Sequence, residues 1–256
     1  MIPSVVLAWG PVASYKSTFA ASYPKIAWHS FDVGGFERAR LPAGVSIIPY
    51  VYPAPVKLSM ERKRHELEGW VELWSLFLKN LSADLKNPEV ETIVIDTMTR
   101  CWLACHRAYL QDAQSRNPSK EGLLQIEYGE VNPWMYAIMD APKQAKKHLV
   151  LTAHDEEERQ DVVAKGEKES IIVMDHGKPV MKPQGFRHAI KNADLVLHMV
   201  PDEDGTPIAV VDKAGLGSGK LRGARIKNPS YAKLEEVITK AEELDLAGWD
   251  IPKEWA

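Results

Sequence analysis

The sequence predicts an α/β protein with a mostly parallel central sheet flanked by helices. Short apolar stretches alternate with segments of helical spacing along most of the chain. Those stretches, such as Ile2–Trp9, Val90–Asp96 and His148–Ala153, are continuously apolar rather than alternating. That is the pattern of strands covered on both faces, as in parallel sheets.

In chain order, Ile2–Trp9 is a buried-type strand, followed by a turn and a helix opening near Lys16. A second strand fits Ile26–Phe31 and stops at Gly34-Gly35. Residues 41–60 hold five prolines or glycines and no period, so they read as loop. Leu67, Val71, Trp74, Leu78 and Leu81 recur at helical spacing and predict an amphipathic helix over 61–85. Val90–Asp96 is a strand ending in an acid, and helices fit 98–115 and 130–147. The second of these closes on Lys146-Lys147, cations suited to the negative end of a helix dipole. His148–Ala153 is the next strand. Residues 155–190 are charged and rich in Gly and Pro, and predict a mobile excursion with a hairpin turning at Asp175-His176-Gly177-Lys178. Strands return at 193–200 and 207–213, a helix covers 230–246, and a Trp-containing tail follows. With no internal repeat, residues 1–256 read as a single domain, 155–190 being an insertion and 230–256 a closing helix and tail.

Composition narrows the function classes. The 256 residues carry 32 Lys+Arg against 35 Asp+Glu, a net charge of −3, with 45% hydrophobic residues. A disordered chain needs fewer apolar residues and more net charge. A strongly basic nucleic-acid clamp is excluded, while a local basic groove stays open. No apolar run reaches the roughly 18 residues that span a bilayer. The first ten residues lack the basic start of a signal peptide. The two cysteines, Cys101 and Cys105, stand one helical turn apart and read as reduced thiols, which points to the cytoplasm and away from a four-ligand zinc site.

The most informative stretch is Gly10-Pro11-Val12-Ala13-Ser14-Tyr15-Lys16-Ser17-Thr18. It follows a strand and opens a helix, where backbone N–H groups converge on an anion. In such a phosphate loop Lys16 reaches the β- and γ-phosphates, Ser17 places its hydroxyl on Mg²⁺, and Thr18 sits near the α-phosphate. The full pattern has a second glycine where Tyr15 stands. Tyrosine keeps the N–H but loses easy access to positive φ, at a cost of about 1 kcal/mol if the loop demands it. Gly215-Leu216-Gly217-Ser218-Gly219-Lys220 imitates the pattern, but Ala214 and Leu221 occupy its required positions, so it reads as a hairpin tip.

Asp96 ends a buried strand, where an acid can hold Mg²⁺ through water beside a phosphate loop. His154 follows another strand end and faces the ligand crevice of such a sheet, placed to sense a γ-phosphate. Ordinary strand endings are the plain alternative for both.

Together with Phe31-Asp32-Val33-Gly34-Gly35 and Leu151-Thr152-Ala153-His154, these motifs resemble the RecA-like P-loop ATPases over roughly residues 1–230. More narrowly, they resemble the phage-encoded members linked to single-strand annealing and recombination. The resemblance implies a RecA-like core, ATP with Mg²⁺, and a homo-oligomeric ring or filament in which a neighbour donates cations to the nucleotide. Lys213, in Val211-Asp212-Lys213, stands where the family carries such a lysine. The family binds single-stranded DNA through the loop after His154. Here that loop holds Lys165, Lys168, Lys178, Lys182 and Arg187, and its many acids leave a solvated surface as the other reading. Lys220, Arg222, Arg225 and Lys227 face DNA, a neighbour or water. The family's water-activating glutamate is missing after the second strand, and Asp32 or Glu37 is left for that role.

The implied function is a DNA-dependent ATPase of recombination or annealing, with a single-strand-binding protein as a further partner. A nucleotide-dependent switch or helicase-loader-like protein is the alternative. A small-molecule P-loop kinase ranks third, for want of an arginine-bearing lid.

Overall fold

The computed structural model describes residues 2–37, 39, 41, 43–55, 67–164, 167–216, 219–246 and 254–255. The leading elements are β1 (Val5–Trp9), α1 (Lys16–Ala20), β2 (Ile26–Ser30), β3 (Ile47–Val51), α2 (Trp70–Lys86), β4 (Thr92–Asp96), α3 (Met98–Arg116), α4 (Tyr128–Gln144) and β5 (His148–Ala153). The excursion supplies β6 (Asp155–Glu157), β7 (Arg159–Ala164), β8 (Glu167–Ile172), β9 (Met174–Asp175), β10 (Lys178–Pro179) and β11 (Met181–Pro183). The chain then forms α5 (Ala189–Asn192), β12 (Leu195–Pro201), β13 (Pro207–Ala214), β14 (Arg225–Lys227), α6 (Tyr231–Leu246) and β15 (Glu254–Trp255).

A nine-stranded sheet runs in the order β15-β14-β13-β12-β1-β5-β4-β2-β3. From β12 to β3 every neighbouring pair is parallel. β13 and β14 extend the β12 side antiparallel, and β15 lies parallel to β14. This is the predicted fold class, a mostly parallel sheet flanked by helices.

The continuous apolar strands are explained by two cores, one on each face. Alternate residues divide between them. Val5, Leu7, Ile93, Ile95, Leu149 and Leu151 pack with buried residues of α2, α3 and α4. Val6, Ala8, Ile26, Trp28, Val94 and Val150 pack with α1 and α6. Cys101 and Cys105 are buried free thiols on α3, part of the first core.

Several boundaries differ from the sequence expectation. Residues 47–51, expected as loop, form β3 at the sheet edge. Prolines misled that reading, because Pro49 is harmless here. Ser46 O and Tyr52 N bond β2, so Pro49, which shares the opposite alternation, lacks only an outward donor. The predicted helix over 61–85 begins at Trp70, and its first part, 61–66, lies outside the described residues. Gly69, at φ 78°, turns the chain into the helix, while Gln111 Oε1 on α3 accepts from Trp70 N at 2.8 Å. α4 ends at Gln144, so Lys146-Lys147 lie beyond it. Lys147 donates instead to the carbonyls of Asn87, at 2.7 Å, and Val90.

The excursion holds three two-stranded ribbons, β6/β11, β7/β8 and β9/β10. The hairpin expected at 175–178 is β9/β10, turning on His176 at φ 46° and Gly177 at φ 77°, the two positive angles of a tight I′ turn. No helix among the described residues is long and apolar enough to cross a membrane.

Phe77 on α2 shows how the first core is keyed. Fully buried, it meets the rings of His29, Phe31, Tyr52 and Trp74. Phe77→Ala is expected to lower unfolding free energy by about 3–5 kcal/mol, read by urea denaturation.

Candidate functional site

The parallel strands place the carboxyl ends of β1, β5, β4 and β2 side by side. A cleft of about 780 Å³ opens there, lined by the loop from Val12 to Thr18 together with Asp32, Gly35, Asp96, Thr97, Arg100 and His154. Sequence positions tens of residues apart are thus brought to one place by strand order alone.

The loop is held in a strained path. Gly10 has φ 146°, and a Cβ there would lie 2.3 Å from Met199 O on β12, so only glycine fits. Ala13 and Tyr15 both have positive φ, 64° and 65°. The loop therefore does demand at Tyr15 the conformation that its glycine counterpart adopts freely. α1 is only five residues long, so its dipole contributes little and the anion-binding character rests on loop N–H groups and Lys16. Lys16 is buried, and its Nζ donates to Gly10 O at 2.8 Å, Pro11 O at 2.5 Å and Ser14 Oγ at 3.1 Å. Burial lowers its pKa, while Asp155 and Asp96 oppose that shift.

Asp96 is the centre of the cleft. Its Oδ2 accepts from Ser17 Oγ at 3.2 Å and its Oδ1 accepts from Thr152 Oγ1. Burial raises the Asp96 carboxyl above the usual carboxylate range, against the pull of the Thr152 and Ser17 hydroxyls. Its backbone carbonyl accepts from Phe31 N at 2.7 Å and Asp32 N at 3.3 Å, which fixes the start of the next turn. The Asp32-Val33-Gly34-Gly35 motif gains its reason here. Gly34 takes φ 77°, and a Cβ on Gly35 would stand 2.8 Å from Asp96 Oδ2. The hydroxyl of Ser17 and the carboxylate of Asp96 form a hard-oxygen pair that fits Mg²⁺. With Mg²⁺ and a triphosphate bound, the cation would neutralise phosphate charge, and Ser17 and Asp96 would hold it.

Asp32 Oδ1 lies 3.5 Å from Arg100 Nη2, and both line the cleft. Glu37 is exposed and does not. His154 lines the cleft with its pKa lowered, first by burial and then by Lys16, so its ring is neutral near pH 7. The neck of the excursion is clasped beside it. His154 N donates to Thr99 Oγ1 at 3.2 Å, Thr99 Oγ1 donates to Gln184 O at 3.0 Å, and Gln184 N donates to His154 O at 2.8 Å.

Other sequence candidates lie elsewhere. Lys213 sits opposite Val196, near the amino end of β12 and away from this cleft. Its Nζ donates to the carbonyls of Ile190, Lys191 and Ala193 at 3.1, 2.7 and 2.6 Å. Offering it to a neighbouring subunit would require giving up all three. Lys178 and Arg187 are exposed, and Lys182 lies 3.8 Å from Glu156. Lys165 lies outside the described residues, as do positions 217–218 of the hairpin tip. Sequence reasoning missed Arg100 and the Thr152–Asp96 bond. The spacing of Arg100, one turn into the helix after Asp96, was its only signal.

Two outcomes follow. Tyr15→Gly is expected to stabilise the ligand-free protein by about 1 kcal/mol, seen as a higher denaturation midpoint. The raised Asp96 pKa means that the folded state holds this proton more tightly than the unfolded chain. Its contribution therefore falls as pH rises from the ordinary Asp range, about 4, through the raised value. Midpoints measured in chelator across that window should show this slope in the parent protein and lose it in Asp96→Asn.

Among solved structures, the chain is similar to the RadB recombinase, with 12% identity, a TM-score of 0.45, and coverage of 88% of this chain and 87% of that one. It is also similar to a KaiC-like protein from Pyrococcus horikoshii OT3, with 11% identity, a TM-score of 0.42, and coverage of 83% and 80%. No curated protein matches it. The AAA domain family AAA_24 matches residues 3–212, a span running from just before β1 through Asp212 and including every residue of the cleft. On that match, the chain belongs to the AAA domain family.

Proposed function

We propose that this chain is an ATP-binding, DNA-dependent ATPase of phage-type homologous recombination or single-strand annealing, working in the cytoplasm as a single-domain subunit of a homo-oligomer on single-stranded DNA. The observation that carries the nucleotide part is the convergence of Lys16, Ser17 and Asp96 in one cleft, with buried Thr152 bonding Asp96 from behind. Backbone N–H groups, one buried ammonium and a hydroxyl–carboxylate pair are the chemistry that a Mg²⁺-triphosphate requires.

Lys16 would exchange its loop carbonyls for phosphate oxygens. Asp32, within the cleft, is better placed than Glu37 to orient an attacking water, and Arg100 beside it supplies positive charge. His154 would read the γ-phosphate. The Thr99 clasp links His154 to the root of the excursion, a physical route from nucleotide to the DNA-contacting loop. Lys178, Lys182 and Arg187 are proposed to meet strand phosphates there. A trans-acting role for Lys213 would require release from its three carbonyls.

The second reading is a nucleotide switch acting on a protein partner. It is favoured by the near-neutral excursion, where Lys182 faces Glu156 and Arg159 lies 3.5 Å from Glu157.

The deciding experiment is ATP hydrolysis with and without single-stranded DNA, beside Lys16→Ala. DNA stimulation is expected, and Lys16→Ala should lower nucleotide affinity at least about tenfold, the loss of a charge-assisted contact. Removing each of Lys178, Lys182 and Arg187 should reduce the salt slope of strand binding by about 0.7. Lys16-dependent ATP binding without stimulation would favour the switch.

A further inference from the structure

Beside the carboxyl end of β1 lies a second cavity of about 530 Å³, lined by Trp9, Pro179, Met181, His198, Asp212 and Arg222 among others. It is within the size range of small-molecule pockets. Its floor is built by strand pairing. Trp9 on β1 is registered with His198 on β12, and His198 with Val210 on β13. Trp9 shares the face of Val5 and Leu7, away from α1, and His198 shares it with Val196. The two rings stack with centroids 3.9 Å apart and planes 5° from parallel. Trp9 Nε1 donates to Asp212 Oδ2 at 2.8 Å, which fixes the indole in its plane. The roof, Pro179 and Met181, comes from the excursion.

The parts fit one ligand class. A flat ring already locked against an indole offers a stacking platform that needs no reorganisation. His198 is held neutral, because burial lowers its pKa first and Lys16 adds to that, against Asp212 and Asp155. It therefore presents a π-face rather than an ionic partner. A thioether and a proline supply the opposite apolar wall. The Asp212 carboxylate and the Arg222 guanidinium bring an acceptor and donors to the same cavity, the combination that an edge of mixed polarity requires. Cations at Lys178 and Lys182 flank the two roof residues in sequence, where a sugar–phosphate backbone leaving the cavity would pass. Aromatic stacking beside cations is how single strands are held without sequence readout.

We propose that this cavity is a nucleobase-binding pocket, with the base stacked on the outer face of His198 under Met181, and that the base belongs to a single strand lying along the excursion. The strand assignment rests on the proposed function above, whereas the pocket itself does not.

The test compares wild type, His198→Ala and His198→Phe. Ligands are a fluorescent oligo-dT, an abasic strand of the same length, ATP, and free adenosine and thymidine. Base stacking is worth about 1–3 kcal/mol, so His198→Ala should weaken oligo-dT binding by about five- to 150-fold. His198→Phe, which keeps a stacking ring, should bind within about threefold of wild type. That rescue separates stacking from a folding defect. The abasic strand should bind all three proteins alike, and ATP affinity should not change. Weakened ATP binding with unchanged oligo-dT binding would overturn the strand assignment and give the pocket to the nucleotide's own base. Unchanged affinity of His198→Ala for every ligand would overturn the pocket. If wild type binds no strand, the DNA reading falls. Nucleoside binding that is lost in His198→Ala and kept in His198→Phe would then still establish the pocket, and its absence would remove that as well.

Discussion

The structure turns on one buried carboxylate. Asp96 receives a hydroxyl from β5 through Thr152 and another from α1 through Ser17, while its carbonyl receives two N–H groups from the chain leaving β2. Four segments are tied through this single residue. Burial disfavours its charge, and the hydroxyls only partly offset that. The cost is about one pKa unit per 1.36 kcal/mol of unbalanced desolvation, so a cation arriving here is drawn in by a charge already held in a poor environment. The same residue organises the fold around the cleft and leaves a buried carboxylate at its centre.

Around this centre the loop stores strain. Two non-glycine residues, Ala13 and Tyr15, sit at positive φ, and Gly10 fits only because it lacks a side chain. The ammonium of Lys16, surrounded by loop oxygens, stabilises this path from inside. Strain at such a position persists only where neighbours over-determine it. Here the neighbours are Met199 of β12 above Gly10 and Ala153 of β5, whose carbonyl accepts from Gly10 N at 3.3 Å. The loop is thus wedged between the strands on either side of its own.

How far the sequence could show this depended on whether the signal was local. The phosphate loop and the acid-ended strand were legible because each is a contiguous pattern with a local cause. The nearby glycines were legible as a motif, but their reason was not. Gly35 is required by a side chain 61 positions later, which no local reading contains. Arg100 follows Asp96 by one helical turn, a spacing too common to single it out, and Thr152 reaches Asp96 only through strand order. β3 was lost because prolines read as loop unless one knows that a strand is at an edge. Lys213 was legible as a cation, yet its three carbonyl partners come from a tertiary contact. The Trp9–His198 stack joins residues 189 positions apart and left no trace in the linear pattern.

The edge position of Pro49 reaches beyond β3 itself. A parallel sheet ending in a free strand invites another strand to dock, whether from a second copy or from a misfolded chain. On β3 the outward alternation falls on Ile47, Pro49 and Val51, and the middle one has no hydrogen to give. An incoming backbone would therefore find its ladder broken at the centre of a five-residue edge. Fusing the sheets of two copies on that side is therefore disfavoured. On this side, contacts between copies would rest on side chains and loops rather than on a shared ladder, and the same interruption guards this edge against aggregation.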